Sequence, residues 1–255
     1  IFDEASERYR MLETIRQYGD DKLRSSGRID DIKDRHLEYF RSAASEAGEN
    51  LKGPEMKTWL VLTEAESANI EKAFYHSMMS SRLEDALLIA GAMGYYWETK
   101  GMYSEGRHRL ESALNAAENI RGDTRARALV HAGRLAHIQG DIETAKSCYS
   151  ESMSIFRESG NQAGIAAALK NFGLLSYEQG EYKRSEELHE EALEMFRQSN
   201  DKRGTAYSLN DYAAVLIEQG KFERAKQILE EGLVIHREIN DKRGIAFCLN
   251  NLASI

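Results

Sequence analysis

An all-α solenoid of stacked helical hairpins is the fold this sequence predicts, and three observations predict it. First, residues 161–200 and 201–240 align without a gap at 12 of 40 identical positions, and a third copy, 241–255, matches its predecessor at 8 of 15. A fixed period of this length marks repeated supersecondary units that bury their apolar faces against one another. Second, Leu209, Tyr212, Ala213 and Leu216 fall at i, i+3, i+4 and i+7, one face of a helix. Third, the chain has 255 residues with a single proline, 42% hydrophobic and 30% charged, a composition suited to long helices around a continuous core.

Within a unit, Gly220 breaks the first helical face, and a second follows through Phe222, Ala225, Ile228, Leu229 and Leu233. Gly180 and Gly220 therefore mark the turns, where a positive φ is needed. Asn200-Asp201 and Asn240-Asp241 end one hairpin and cap the next. The small residues Gly173, Ala192, Ala213 and Ala225 fall where two helices approach closely.

This pattern resembles the tetratricopeptide repeat (TPR). The matching residues are Gly173, Gly180-Glu181-Tyr182, Ser185 and Ala192-Leu193. The next unit repeats them as Ala213, Gly220-Lys221-Phe222, Ala225 and Gly232-Leu233. Looser copies run through Gly133, Gly140-Asp141-Ile142, Ala145 and Ser152-Met153, and through Gly94, Gly101-Met102-Tyr103, Gly106 and Ala113-Leu114. The resemblance implies a TPR-type right-handed superhelix over residues 83–255, in units of about 83–121, 122–160, 161–200 and 201–240 with a partial unit at 241–255. The units are longer than the usual repeat and lack its terminal proline.

Ahead of the repeats, Ser6–Met11 alternates polar and bulky residues as a short strand would. Leu12–Leu23 then reads as an amphipathic helix with Leu12, Ile15, Tyr18 (or Gly19) and Leu23 inward. Tyr9, Arg10, Leu12–Arg16, Tyr18 and Leu23 resemble the junction between the winged helix and the repeats of bacterial STAND-type signal-transduction ATPases and regulators. Trp59-Leu60, Glu64, Glu66, Asn69-Ile70 and Ala73-Phe74 are similar to the linker of the same family. The resemblance implies that 1–28 is the remnant of an upstream winged-helix-like domain and 29–82 a helical linker bundle. It makes the chain a sensor region, and any ATP site would lie upstream of Ile1. A free-standing adaptor fits the repeats equally. The chain starts at a residue other than Met and stops in mid-repeat, which reads as a piece of something larger.

Catalytic signatures are lacking. No G-x-x-x-x-G-K-[ST] phosphate loop, H-E-x-x-H or C-x-x-C occurs. His131 and His137, six apart, are on different helix faces rather than paired for a metal. Cys148, His189 and His236 come from three different units, and the two cysteines, 100 residues apart, read as reduced. The Glu186-Glu187 and Glu190-Glu191 pairs read as a solvated helix face. No catalytic, cofactor-binding or metal-ligating residue is expected. The net charge of −8 argues against direct nucleic-acid contact, and no apolar run approaches a membrane span. A cytoplasmic location is expected.

In this family the first helix of each hairpin lines the concave surface. Counting from Gly173 and Ala213, the groove phase selects Lys170, Leu174 and Tyr177, then Asn210, Ala214 and Ile217, then Asn250 and Ser254, with Val130, Arg134 and His137 in the looser unit. One turn earlier stand Arg127, Ala167, Tyr207 and Phe247. The candidate groove for a protein or peptide is thus Arg134, His137, Lys170, Tyr177, Tyr207, Asn210 and Asn250. The resemblance implies peptide gripping by Asn210 and Asn250, whose amides offer donors and an acceptor to a backbone. Polar residues on a helix face are also simply solvated. The half-repeat at 244–255 leaves Phe247, Leu249, Leu252 and Ile255 partly uncovered, which predicts self-association.

Overall fold

The computed structural model describes residues 11–255 and the paired backbone of residues 2–3 and 8–9. Helices follow one another as α1 (Glu13–Ser25), α2 (Ile29–Asn50), α3 (Met56–Met79), α4 (Leu83–Thr99), α5 (Tyr103–Ala116) and α6 (Asp123–Ile138). They continue as α7 (Ile142–Ser159), α8 (Gln162–Glu178), α9 (Tyr182–Gln198), α10 (Lys202–Glu218), α11 (Phe222–Glu238) and α12 (Lys242–Leu252). From α2 onward they pair into antiparallel hairpins, and the first helices stack in the order α2, α4, α6, α8, α10, α12. This is a TPR-type superhelix.

The repeat boundaries are built by short polar caps. Asn161, Asp201 and Asp241 each accept the backbone N–H three residues on, at 2.8, 2.8 and 3.1 Å, and so start α8, α10 and α12. Asn200 and Asn240 just before them take positive φ, as do the turn residues Gly180 and Gly220. Where α8 meets α9, the Ser185 hydroxyl donates to the Gly173 carbonyl at 2.7 Å, so a serine serves at a crossing that elsewhere holds Ala225, also fully buried. One apolar core runs continuously from Leu37 of α2 to Phe196 of α9. A second, of Leu193, Leu209, Tyr212, Val215, Leu216 and Ala225, continues it under α10 and α11.

Two expectations about the leading segment are corrected. The short strand-helix preface is not supported as a unit: the antiparallel pairing involves only Phe2–Asp3 with Arg8–Tyr9, and the rest of 4–10 lies outside the described residues. The apolar stripe of α1 does not face inward either. Leu12, Ile15 and Tyr18 are 51–63% exposed and Leu23 alone of the four is half-buried, α1 packing at the start of the stack on α2. The segment 29–82 forms a hairpin, α2 and α3, that packs on α4 as each later hairpin packs on the next. Leu37, Ala44, Ile70 and Phe74 tie it into the shared core, and the stack therefore starts earlier than the repeat signature does.

Candidate ligand-binding groove

On α8 and α10 the groove phase appears as a half-buried stripe: Ala167, Lys170, Leu174 and Tyr177, then Tyr207, Ala214 and Ile217. Neighbouring first helices flank these residues on both sides, which leaves them half-buried. The stripe is laced by contacts between successive repeats. The Tyr177 hydroxyl faces Glu218 Oε1 at 3.5 Å, and its ring stacks obliquely on Tyr182, 5.8 Å between centroids. Lys170 Nζ pairs with Asp211 at 3.6 Å. His137, although buried, reaches Glu178 Oε2 at 2.8 Å from its Nε2.

Arg134 is the central polar residue of this face. Its guanidinium donates twice to Glu98 of α4, at 2.5 and 2.7 Å, and once to the Asn171 side chain of α8, at 3.2 Å. Burial works against its charge, but the Glu98 hydrogen bonds outweigh that and hold the guanidinium more firmly protonated than usual.

The two asparagines part company. Asn250 is exposed on α12. Asn210 is only 5% exposed, and both ends of its amide are engaged. Its Nδ2 lies 3.0 Å from His236 Nε2, and its Oδ1 accepts the Cys248 thiol at 3.0 Å. Asn210 is therefore an internal pin between α10, α11 and α12, not a free peptide-gripping amide. Tyr207 turns toward the same place, edge-on to the His236 ring at 5.0 Å, with the Arg203 guanidinium 5.5 Å from its own ring.

A recess of about 380 Å³ opens farther toward the N-terminus, and α2, α4, α6 and α8 all project into it. Its floor is small and apolar, with Gly48, Gly91, Ala92 and Ala167, and its polar groups include Ser45, Lys52, Arg127 and His131. None of the seven groove candidates lines it, although Arg127, Val130 and Ala167 of the same phase do. Ser45, Gly48, Glu49 and Lys52 went unread because α2 carries no repeat signature. Lys52 touches solvent, yet burial by the surrounding channel walls and then repulsion from Lys170, Arg134 and Arg127 lower its pKa. His131 is held neutral, its pKa well below 6.5, by burial and by Lys52 and Arg134 nearby.

Burial raises both thiols, Cys148 to about 11. No cluster of three or more metal-ligating side chains occurs among the described residues, and none of their helices is long and apolar enough to cross a membrane.

The fold places this chain among helical-repeat proteins. Residues 124–198 and 164–238 match the tetratricopeptide repeat family model. Among solved structures, the chain is similar to BtubC from P. vanneervenii, at TM-score 0.60 and 17% identity over 85% of this chain and 93% of that one. It is likewise similar to pilF of Pseudomonas aeruginosa, at TM-score 0.54 and 16% identity, covering 86% and 89% of the two chains. At these identities the likeness concerns the fold alone. Curated relatives named as HTH-type transcriptional regulators, from Mycobacterium bovis and Mycobacterium tuberculosis, are 25% identical over 170 residues. The match covers 64% of this chain and 19% of each relative's length.

Proposed function

We propose that this chain is a non-catalytic, partner-sensing scaffold, the TPR region of a multidomain bacterial signalling ATPase or transcriptional regulator that works in the cytoplasm. The observation that carries the scaffold reading is the half-buried polar and aromatic stripe of Lys170, Tyr177 and Tyr207 along successive first helices. Such a surface offers aromatic area and hydrogen-bonding groups to a protein or peptide without being part of the core. The regulator reading draws support from the relatives named as HTH-type regulators, together with the junction-like residues Leu12–Leu23 and Trp59–Phe74. In this reading nucleic-acid contact and nucleotide hydrolysis belong to other parts of the parent protein.

The coding sequence upstream of Ile1 tests the regulator reading. A phosphate-binding loop followed by a winged helix would support it, whereas a start codon within a few residues of Ile1 would leave a free-standing adaptor. The groove is tested separately by photo-crosslinking residues placed at Tyr177 and Tyr207. Partner capture there, but not from the outward Lys226, is the expected result. A second contact surface is the exposed side of α12, where Phe247 and Leu249 are 46% and 49% exposed; it serves self-association of this chain.

A further inference from the structure

We propose that the recess between α2, α4, α6 and α8 is a binding site for a small organic polyanion, gripped by Lys52 and Arg127 with the His131 ring as a hydrogen-bonding edge. This goes beyond the partner-binding reading and does not depend on it. The argument begins with charge placement. The chain as a whole carries −8, yet Lys52 and Arg127 both line one recess, and Arg134 and Lys170, outside its lining, stand near enough to repel Lys52. Two of them are already neutralised, Arg134 by Glu98 and Lys170 by Asp211 at 3.6 Å. Lys52 and Arg127 form no ion pair among the described residues, although Glu49 also lines the cavity. The face of Tyr95 lies 6.0 Å from the Lys52 ammonium.

Burial is the first cause of the depressed Lys52 ammonium, and repulsion from Lys170, Arg134 and Arg127 adds to it against the pull of Glu98. An anion entering the recess would relieve that repulsion. His131 points the same way: its ring packs on Gly94, and no hydrogen-bond partner for either nitrogen occurs among the described residues. The size selects the occupant. A volume of about 380 Å³ lies within the roughly 300–1,000 Å³ typical of small-molecule pockets. The floor of glycine and alanine leaves that volume open, and Gly48 is required there in any case, because a Cβ would come within 2.8 Å of the Ala92 carbonyl oxygen.

Calorimetric titration of the chain with pyrophosphate and with citrate separates a phosphate source from a carboxylate source. Saturable binding of at least one is expected. The substitutions Lys52→Gln and Arg127→Gln should each weaken it by roughly tenfold, the worth of one charge-assisted contact. Both side chains reach solvent, so unchanged melting is expected in each. Lys183→Gln with Lys226→Gln, exposed and distant from the recess, should leave affinity as it was. Failure of both anions to saturate, or equal affinity in the Lys52 and Arg127 variants, overturns the proposal. Tighter binding of a hexaglutamate peptide than of either small anion also overturns it, in favour of an acidic peptide site.

Discussion

Asn210 Nδ2 and His236 Nε2 meet at 3.0 Å inside the hairpin of α10 and α11. An amide nitrogen can only donate, so the imidazole nitrogen accepts and the ring keeps its proton on Nδ1, which lies 3.3 Å from Asp241. Asp241 in turn caps α12 through Gly244. Asn210 itself joins α10, α11 and α12, since the Cys248 thiol of α12 donates to its Oδ1.

Removing that amide strands two buried groups at once. Asn210→Ala is expected to lower stability by about 1–3 kcal/mol, the cost of unpaired buried polar atoms. Asn250→Ala, on an exposed face, should change it by no more than about 0.5 kcal/mol. Chemical denaturation of the two variants checks this, and equal stabilities would deny Asn210 its role as a pin.

How much of this was legible in the sequence follows from what repeats display. The hairpins, the turns at Gly180 and Gly220 and the caps at Asp201 and Asp241 recur at a fixed period, and local backbone chemistry suffices to place them. Asn210 was misread because its environment depends on a departure from the period. The position of His236 holds Phe196 one unit earlier, and only a ring nitrogen there draws an asparagine inward. The hairpin of α2 and α3 was hidden for a different reason: it packs like a repeat without the small-residue signature. The solvent-facing stripe of α1 shows that an amphipathic pattern marks a face but does not supply its partner.

Arg134 bridges three first helices, and the prediction for its partner follows from that placement. Glu98→Ala leaves the half-buried guanidinium without its two strongest acceptors and should cost about 1–3 kcal/mol. Glu98→Leu combined with Arg134→Leu should recover part of the loss, since it buries no orphaned charge. A double-mutant cycle on thermal melts measures the coupling.

Acid should loosen the repeats through their buried histidines. Burial depresses His189 to about 4, and Asp211 only partly offsets it; His131 and His236 shift in the same direction. Above an unfolded-state pKa of about 6.5 both states are neutral and stability is complete. As pH falls from there toward 4, the unfolded chain takes up protons that the folded one refuses, and stability drops by up to about 3 kcal/mol for His189. Melting temperatures measured from pH 7 to pH 4.5 should decline, and His189→Leu should flatten the decline. An identical slope in that variant would remove His189 as a source.

Self-association through α12 makes a further prediction. Phe247→Asp with Leu249→Asp should leave melting nearly unchanged, because both side chains are half exposed, and should abolish any growth of mass with concentration in sedimentation experiments. A wild-type chain that stays monomeric at high concentration would remove this surface.

Gly173 and His189 form a pair whose counterpart in the next unit is Ala213 and Leu229, each fully buried. The exchange is steric. A Cβ on Gly173 would stand 2.8 Å from His189 Nε2, closer than packed atoms tolerate, and the fully buried ring has little room to retreat. Gly173→Ala alone is therefore expected to destabilise by about 1–3 kcal/mol through overpacking, despite the better helix propensity of alanine. With His189→Leu the same alanine should be tolerated, since the pair then reproduces the neighbouring repeat and no polar atom is left buried there without a partner. Urea denaturation of the two single variants and the double variant checks the coupling. If the costs simply add, the two residues are not matched across the α8–α9 contact.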